Sequence, residues 1–174
     1  VSASGIGWYG PDPEIPNPQP FIETDPPGDD WLGQTCKKWE DSVDGLENAG
    51  VRVVKFRTGP VFSLESGMLP EFLRPIKFGI ASILGNGKQV ISWIHIEDLS
   101  RMYIYDLENE KLHGIYNAVA PQTATNKTVV LQLAKTLKNT FFVPVYVPSF
   151  VLKAMLGELS IEVLKSTTVS PSRI

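Results

Sequence analysis

Three glycines near the start of the chain, Gly5, Gly7 and Gly10, have the Gly-x-Gly-x-x-Gly spacing of a pyrophosphate-binding turn. That chemistry requires a helix to begin at the last glycine, because the phosphates bind free N–H groups at a helix N-terminus. The next residues are rich in proline, which removes backbone donors and prevents a regular helix. We therefore interpret the glycines as turn residues where a strand leaves a sheet, and the match as a coincidence of spelling.

Few residues of the chain could ligate a metal or act as a nucleophile. Cys36 is the only cysteine, and His95 and His113 are the only histidines. No spacing among them builds a metal site, so we predict none. His95 and Asp98 stand at the start of a predicted helix, where Asp98 can satisfy free N–H groups, and we interpret both as structural.

The composition restricts the class of partner. The chain has 174 residues, of which 43% are hydrophobic and 20% charged, and its net charge is −3. This is ordinary globular composition without the basic surface that nucleic acid requires. The longest apolar stretch contains Pro144, Pro148 and Lys153, and it is too broken to span a bilayer. We expect a small-molecule substrate, neither nucleic-acid nor membrane partners and, from the single cysteine, a cytoplasmic location.

The element best defined by its pattern is a helix that begins after Asp29 or Asp30, either of which is a good N-cap. Gly50 is expected to end this helix as its C′ residue. The segment VRVVKFRTG follows and is rich in β-branched residues, which is typical of a strand in a covered sheet. A helix followed by such a strand predicts α/β architecture. The apolar stripe expected to face the core is Leu32, Cys36, Trp39, Val43 and Leu46.

The rest of the chain continues as alternating helices and strands. GNGK at 85–88 predicts a hairpin turn with KQVISWIH as its second arm. Thr125 or Asn126 is expected to cap a helix. Further helices are predicted at 69–78, over IEDLSRMYIYDLEN, at 149–156 and at 158–166, and a strand over GIYNAVAP.

Five of these segments, in their order along the chain, carry a resemblance to a known family. They are SASGIGWYG, DDWLGQTCKKWE, RVVKFRTGPV, SWIHIEDL and GIYNAVAP. Together they resemble the later half of extended short-chain dehydrogenases, and more narrowly the epimerase-like atypical members, which end in a short domain of unknown function. The resemblance implies an α/β fold with part of a Rossmann-type parallel sheet and a small, mostly helical C-terminal region on the substrate side. It divides the chain into residues 1–124 and 125–174.

The resemblance also implies that the chain is a C-terminal fragment. In that family the N-terminal portion carries the true glycine fingerprint, and the cofactor expected for the whole protein is NADP. We predict that NADP binding by this fragment is weak or absent. An interior strand edge would be left uncovered, which predicts pairing with another chain, either in a homodimer or with the missing piece.

Short-chain dehydrogenases place Tyr-x-x-x-Lys on one helix, and four-residue spacing puts both side chains on one face. The lysine lowers the tyrosine pKa so that the phenol can exchange a proton with a substrate hydroxyl. Extended members add a glutamate four residues later, and Glu40 fits that place. Counting back puts Cys36 at the lysine place and Leu32 at the tyrosine place, which leaves no acid/base pair. Cys36 is interpreted as packing, with chemical involvement as the alternative.

Two residues near the first strand are the candidates for catalysis. Ser4 lies near the place of the family's substrate-holding serine, although the register also allows Gly5, and the alternative is a small residue that ends a strand. Tyr9 could replace the missing acid, or it could pack under a loop. Asn117, at the end of a predicted strand, either reaches the crevice or serves as a turn residue.

Five residues are the candidates for cofactor binding: Ser2, Arg57, Thr58, Gly59 and Val61. The last four follow a predicted buried strand, and the family resemblance places this loop beside the nicotinamide. Arg57 could pair with a phosphate or an acidic substrate, or it could form a surface salt bridge.

Two hypotheses of function follow, and they differ on whether the protein is an enzyme. In the first, the protein is a nucleotide-cofactor-dependent epimerase or oxidoreductase that acts on a small or nucleotide-linked sugar. In the second, it is a non-catalytic NADP-binding sensor or interaction protein. The Leu32 and Cys36 pair favours the second hypothesis, and the crevice-facing loops favour the first.

Overall fold

The computed structural model describes residues 1–139 and 141–173 as nine strands and six helices, with a 3-10 turn at Ile6–Trp8. The strands are β1 (Ser2–Gly5), β2 (Val54–Thr58), β3 (Val61–Phe62), β4 (Ile80–Leu84), β5 (Val90–Ile91), β6 (Ile94–His95), β7 (Gly114–Ala118), β8 (Ala124–Thr125) and β9 (Val143–Val147). The helices are α1 (Trp31–Asn48), α2 (Met68–Lys77), α3 (Ile96–Glu108), α4 (Asn126–Lys138), α5 (Ser149–Leu156) and α6 (Leu159–Leu164). The predicted helices and the strands at GIYNAVAP and VRVVKFRTG are therefore confirmed.

The main sheet is three-stranded and parallel, in the order β1-β2-β7. Gly5 pairs with Thr58, and Thr58 pairs with Ala118, so the three carboxyl ends lie together. Parallel sheets are covered on both faces, which explains why most of β2 is buried although it contains Lys55 and Arg57. The predicted α/β class with a parallel sheet is confirmed, and its carboxyl edge is where ligands of open α/β sheets bind.

Helix α1 begins and ends as its local signals indicate. The Asp30 carboxylate accepts a hydrogen bond from the Gly33 N–H at 2.7 Å, and Gly50 follows the helix with φ +77°. The expected inward stripe is wrong in part, because Trp39 is 54% exposed while Glu40 is 2% exposed. The helix turns Glu40 inward because the buried Arg57 neutralises its carboxylate.

The predicted hairpin around 85–88 is wrong. Gly85 and Gly87 do form the turn, with φ of +59° and +71°. However, β4 pairs in parallel with β9, and β5 pairs antiparallel with β8. Asn126 holds this arrangement, because its side-chain oxygen accepts a hydrogen bond from the Leu84 N–H at 2.9 Å. The turn thus connects β4, in the sheet with β9, to β5, in the sheet with β8.

Helix α3 begins at a histidine and not at the predicted acid. The Nδ1 atom of His95 accepts a hydrogen bond from the Glu97 N–H at 3.2 Å, so His95 is the N-cap. Asp98 lies in the first turn and pairs with Arg101 at 2.9 Å. Both side chains make local contacts at the start of α3, and His95 takes the capping place expected for Asp98.

The largest hydrophobic cluster joins the middle of the chain to the C-terminal region. Phe72 and Ile76 of α2 pack with Ile83 of β4 and Val130 of α4. The proposed boundary after residue 124 stays a prediction, and β9 pairs across it with β4. Within the described residues, the helices are all too short or too polar to cross a membrane.

Residues 166–170 fasten the proline-rich loop that follows β1. The Asp12 carboxylate accepts hydrogen bonds from Ser166 Oγ at 2.7 Å and from the N–H and Oγ1 of Thr168 at 2.8 and 2.7 Å. The Phe21 N–H donates to the Thr168 carbonyl at 2.8 Å. On the other side, Ser92 Oγ donates to the Thr167 carbonyl at 2.9 Å. This segment therefore joins the loop to the core.

Candidate active-site crevice

A crevice of about 740 Å³ opens at the carboxyl ends of β1 and β2, where Gly5, Thr58 and Gly59 form one side. This is the expected place for a ligand in an open α/β sheet. The other walls come from α1, α2, the start of β5 and the helices α5 and α6. Further lining residues are Leu32, Cys36, Trp39, Met68, Glu71, Phe72, Leu84, Ser92, Asn126, Leu152, Leu156, Leu159, Glu162, Val163, Lys165 and Thr167.

Leu32 and Cys36 both line the crevice beside the glycines of the first strand. A Cβ added at Gly5 would lie 3.9 Å from Cys36 Sγ, and one added at Gly7 would overlap the Leu32 side chain. These are the positions that the resemblance assigns to the tyrosine and the lysine of the catalytic pair. An aliphatic side chain and a thiol therefore line the crevice at the two positions where the family's proton-transfer groups are expected.

Neither predicted catalytic residue reaches this crevice. Ser4 Oγ donates a hydrogen bond to Glu40 Oε1 at 2.8 Å, and Tyr9 Oη donates to Asn117 Oδ1 at 2.7 Å. Tyr9 is fully buried, and burial raises the pKa of its phenol against the opposing effect of Arg57. The structure gives the proposed proton-transfer roles of Ser4 and Tyr9 no support, because both hydroxyls are engaged inside the protein. Asn117 is likewise buried and does not line the crevice.

Arg57 lies at the centre of a buried polar cluster and is 1% exposed. Its Nε and Nη2 atoms donate to the two oxygens of Glu40 at 2.9 and 3.0 Å, which is bidentate pairing. Nη1 donates to Tyr9 Oη at 3.1 Å and to the Glu23 carbonyl at 3.0 Å, and the guanidinium lies 3.7 Å from the centre of the Trp8 ring. Burial acts to lower the Arg57 pKa, but the bonds to Glu40 and Tyr9 outweigh it and raise the pKa. The expected phosphate contact is therefore corrected to a buried ion pair.

The other cofactor candidates divide into two groups. Thr58 and Gly59 line the crevice, whereas Ser2 and Val61 do not. Ser2 lies at the amino end of β1, away from the carboxyl edge, and Val61 pairs with Ile94 in a separate two-stranded sheet. Of the five residues predicted to bind a cofactor, two therefore line the crevice.

Lys165 lines the crevice as part of an ion pair, and the sequence did not predict it as a site residue. Lys165 Nζ lies 3.0 Å from Asp30 Oδ2 and 2.8 Å from Glu162 Oε2, and its side chain is buried. Burial acts to lower its pKa, but the bonds to Glu162 and Asp30 prevail and raise the pKa. The three-residue spacing of Glu162 on α6 and Lys165 at its C-cap was a readable signal, but the contact with Asp30 joins residues 135 positions apart.

Cys36 is expected to resist thiol reagents in the folded protein. Burial raises the pKa of its thiol, so less of the reactive thiolate is present at pH 8 than in the unfolded chain. Alkylation by iodoacetamide, followed by mass spectrometry, should be at least about tenfold slower in buffer than in urea. The rate should rise only as the pH rises through the raised pKa. Equal rates in buffer and urea would show that the thiol is accessible and reactive.

The variant Cys36→Ala tests the packing interpretation of the same residue. It should lower the free energy of unfolding by about 1–2 kcal/mol through the cavity that it leaves, and ligand binding should be unchanged. Because the folded thiol keeps its proton to higher pH than the unfolded one, its contribution to stability is present at neutral pH and is lost as the pH rises through the folded pKa. Loss of binding with unchanged unfolding would instead give Cys36 a role in the site.

Sequence comparison relates nearly the whole chain to proteins named epimerase family proteins. It is 34% identical over 173 residues to the Arabidopsis thaliana epimerase family protein SDR39U1 homolog, chloroplastic, and the match covers 99% of this chain and 48% of that relative. The chain spans about half the length of the curated relatives it matches. No family model matches the chain.

Structural comparison gives the same result for the fold. The human epimerase family protein SDR39U1 (isoform 2), crystallised with NADPH, superposes with a TM-score of 0.85 at 30% identity over 98% of this chain and 56% of that one. The nucleoside-diphosphate sugar epimerase from Corynebacterium glutamicum superposes with a TM-score of 0.74 at 29% identity over 98% of this chain and 32% of that one. The Rossmann-like fold is confirmed, and so is the predicted resemblance to epimerase family proteins, which extends over nearly the whole chain.

Proposed function

We propose that the protein containing this chain binds NADP and acts as an epimerase- or oxidoreductase-like protein on a small molecule held in the crevice. The observation that carries the proposal is the position of the crevice. Gly5, Thr58 and Gly59 line it at the carboxyl edge of the parallel sheet. The NADPH in the human structural neighbour supports the choice of cofactor. In this proposal the cofactor supplies hydride transfer, while Thr58, Gly59 and the walls of the crevice orient the reacting ends.

The sugar substrate expected from the sequence stays a prediction. Its support is the name of the Corynebacterium glutamicum structure, a nucleoside-diphosphate sugar epimerase. A cytoplasmic location and a homodimer also stay predictions.

The second candidate is a non-catalytic NADP-binding sensor or interaction protein, and one observation favours it. The crevice presents Leu32 and Cys36 where the family resemblance places its tyrosine and lysine. Leucine carries no proton, and burial keeps the Cys36 thiol protonated by raising its pKa. The ammonium of Lys165 is held by two carboxylates. Hydride transfer to a carbonyl needs a matching proton, so the proton source decides between the two candidates.

Calorimetry on the whole protein tests both candidates. NADPH should bind with micromolar or better affinity, and turnover is then sought across a panel of carbonyl compounds and sugar nucleotides. The variant Thr58→Glu places a carboxylate in the crevice and should weaken NADPH binding at least about tenfold, because the cofactor is itself an anion. The control Thr136→Glu adds the same charge on an exposed position of α4 and should leave binding unchanged.

The outcomes separate the two candidates. Binding with turnover supports the enzyme, and tight binding without turnover supports the sensor. Absence of NADPH binding by the whole protein would contradict both. The isolated chain should bind NADPH weakly or not at all, and micromolar affinity there would contradict the prediction made from the sequence.

A further inference from the structure

The wall of the crevice away from the strand ends is made of apolar side chains from four helices. Trp39 comes from α1, Phe72 from α2, Leu152 and Leu156 from α5, and Leu159 from α6. Together with Leu32 and Cys36, these side chains make most of the lining surface apolar. A molecule that fills this space therefore exchanges water for hydrocarbon and aromatic surface.

The charges of the lining argue against a nucleotide-linked sugar. Among the lining side chains in the described part of the chain, the acidic ones are Glu71 and Glu162 and the basic one is Lys165. The Lys165 ammonium is already held by Glu162 and by Asp30. A diphosphate would bring further negative charge to a lining with more acidic than basic groups, whereas phosphate sites use arginine, lysine or free N–H groups.

Most of the lining surface is apolar, and two of its uncharged polar side chains are already engaged within the protein. Ser92 Oγ donates to the Thr167 carbonyl at 2.9 Å and accepts from the Val169 N–H at 3.0 Å. The side-chain oxygen of Asn126 accepts from the Leu84 N–H at 2.9 Å. Because the lining offers little polar surface, a sugar ring buried here would lose hydrogen bonds to water without replacing most of them, which is costly.

We infer that the crevice takes an uncharged, mainly apolar small molecule, with its one polar function at the strand ends beside Thr58. The inference rests on the proposed function only in placing that polar end next to the nicotinamide. It assigns a substrate class different from the nucleotide sugars named for one structural neighbour. Selectivity would come from the helices α5 and α6, which form the far wall.

The test uses the whole protein and two probes, with and without saturating NADPH. The uncharged dye Nile red, which fluoresces in apolar surroundings, represents the proposed class, and UDP-glucose represents the nucleotide sugars. Two variants on α6 are matched: Leu159 lines the crevice and is 59% exposed, whereas Ile161 does not line it and is 66% exposed. Because both side chains are largely exposed, Leu159→Asp and Ile161→Asp should both fold.

Leu159→Asp should weaken Nile red binding at least about tenfold, because it places a carboxylate in the apolar wall. Ile161→Asp should leave it within about twofold, and UDP-glucose should give no binding heat in the calorimeter. Calorimetric binding of UDP-glucose that displaces the dye, equal effects of the two variants or absence of dye binding would each overturn the inference. Failure of NADPH to bind, with the dye results as expected, would overturn the proposed function and leave the inference standing.

Discussion

Replacing Glu40 with alanine is expected to lower the free energy of unfolding by about 3–5 kcal/mol. The substitution leaves the Arg57 guanidinium buried without its carboxylate, and it also removes the acceptor of the Ser4 hydroxyl. Water cannot replace these partners, because Arg57 and Glu40 are almost completely buried. Urea-induced unfolding followed by circular dichroism measures the change.

Two controls show whether the uncompensated buried charge is the cause. Asp41→Ala on the same helix breaks an exposed pair with Lys37 and should cost less than about 1 kcal/mol. The double variant Glu40→Leu/Arg57→Met removes both charges and should lose much less stability than Glu40→Ala. If Glu40→Ala and Asp41→Ala have similar effects, the buried pair is not what stabilises this part of the fold.

Replacing Gly59 with alanine is expected to cost about 3 kcal/mol or more of stability, and to weaken NADPH binding by the whole protein. The added Cβ would overlap the Ser92 carbonyl oxygen and lie 3.0 Å from Val119 Cγ1. The backbone at Ser92 cannot easily move away, because residues 167 and 169 are bonded to the Ser92 side chain. Relief of the overlap must therefore shift the loop that borders the crevice.

Gly45 provides the matched control for this substitution. It lies on the exposed side of α1, and an added Cβ would meet nothing within 4 Å. Gly45→Ala should raise the free energy of unfolding by about 0.5–1 kcal/mol, because alanine has the higher helix propensity. Comparable melting temperatures for the two variants would contradict the close packing at Gly59.

Local signals in the sequence were sufficient for the helices and for β2 and β7, whereas β9, which contains Pro144, was not predicted. Asp30 and Gly50 mark the ends of α1, and Thr125 caps α4 by accepting from the Thr128 N–H at 3.1 Å. Strand pairing was not predictable in the same way. The hairpin at 85–88 was wrong because the partner of Ile80 is Val143, and nothing near the turn indicates a pairing so distant in sequence.

The site was predictable where a single helix or a single strand end determines it, as at Thr58 and Gly59 after β2. The four-residue spacing of Leu32 and Cys36 put both in the crevice, and the resemblance identified them as the altered pair. The roles expected of Tyr9 and Arg57 depended on burial and on partners far along the chain, such as Asn117, 108 positions from Tyr9. Glu40 carried a usable signal, because it follows Cys36 by four residues and so shares its inward face.

The hydrogen bonds from Thr168 to Asp12 have a consequence for folding during translation. The two residues are 156 positions apart, so during translation the proline-rich loop emerges long before its partner. Until residues 166–170 leave the ribosome, Asp12 and the Phe21 N–H lack their hydrogen-bond partners, so the loop is not held against the core. Nascent chains halted before that point should keep this loop open to added protease, and chains released beyond it should protect it.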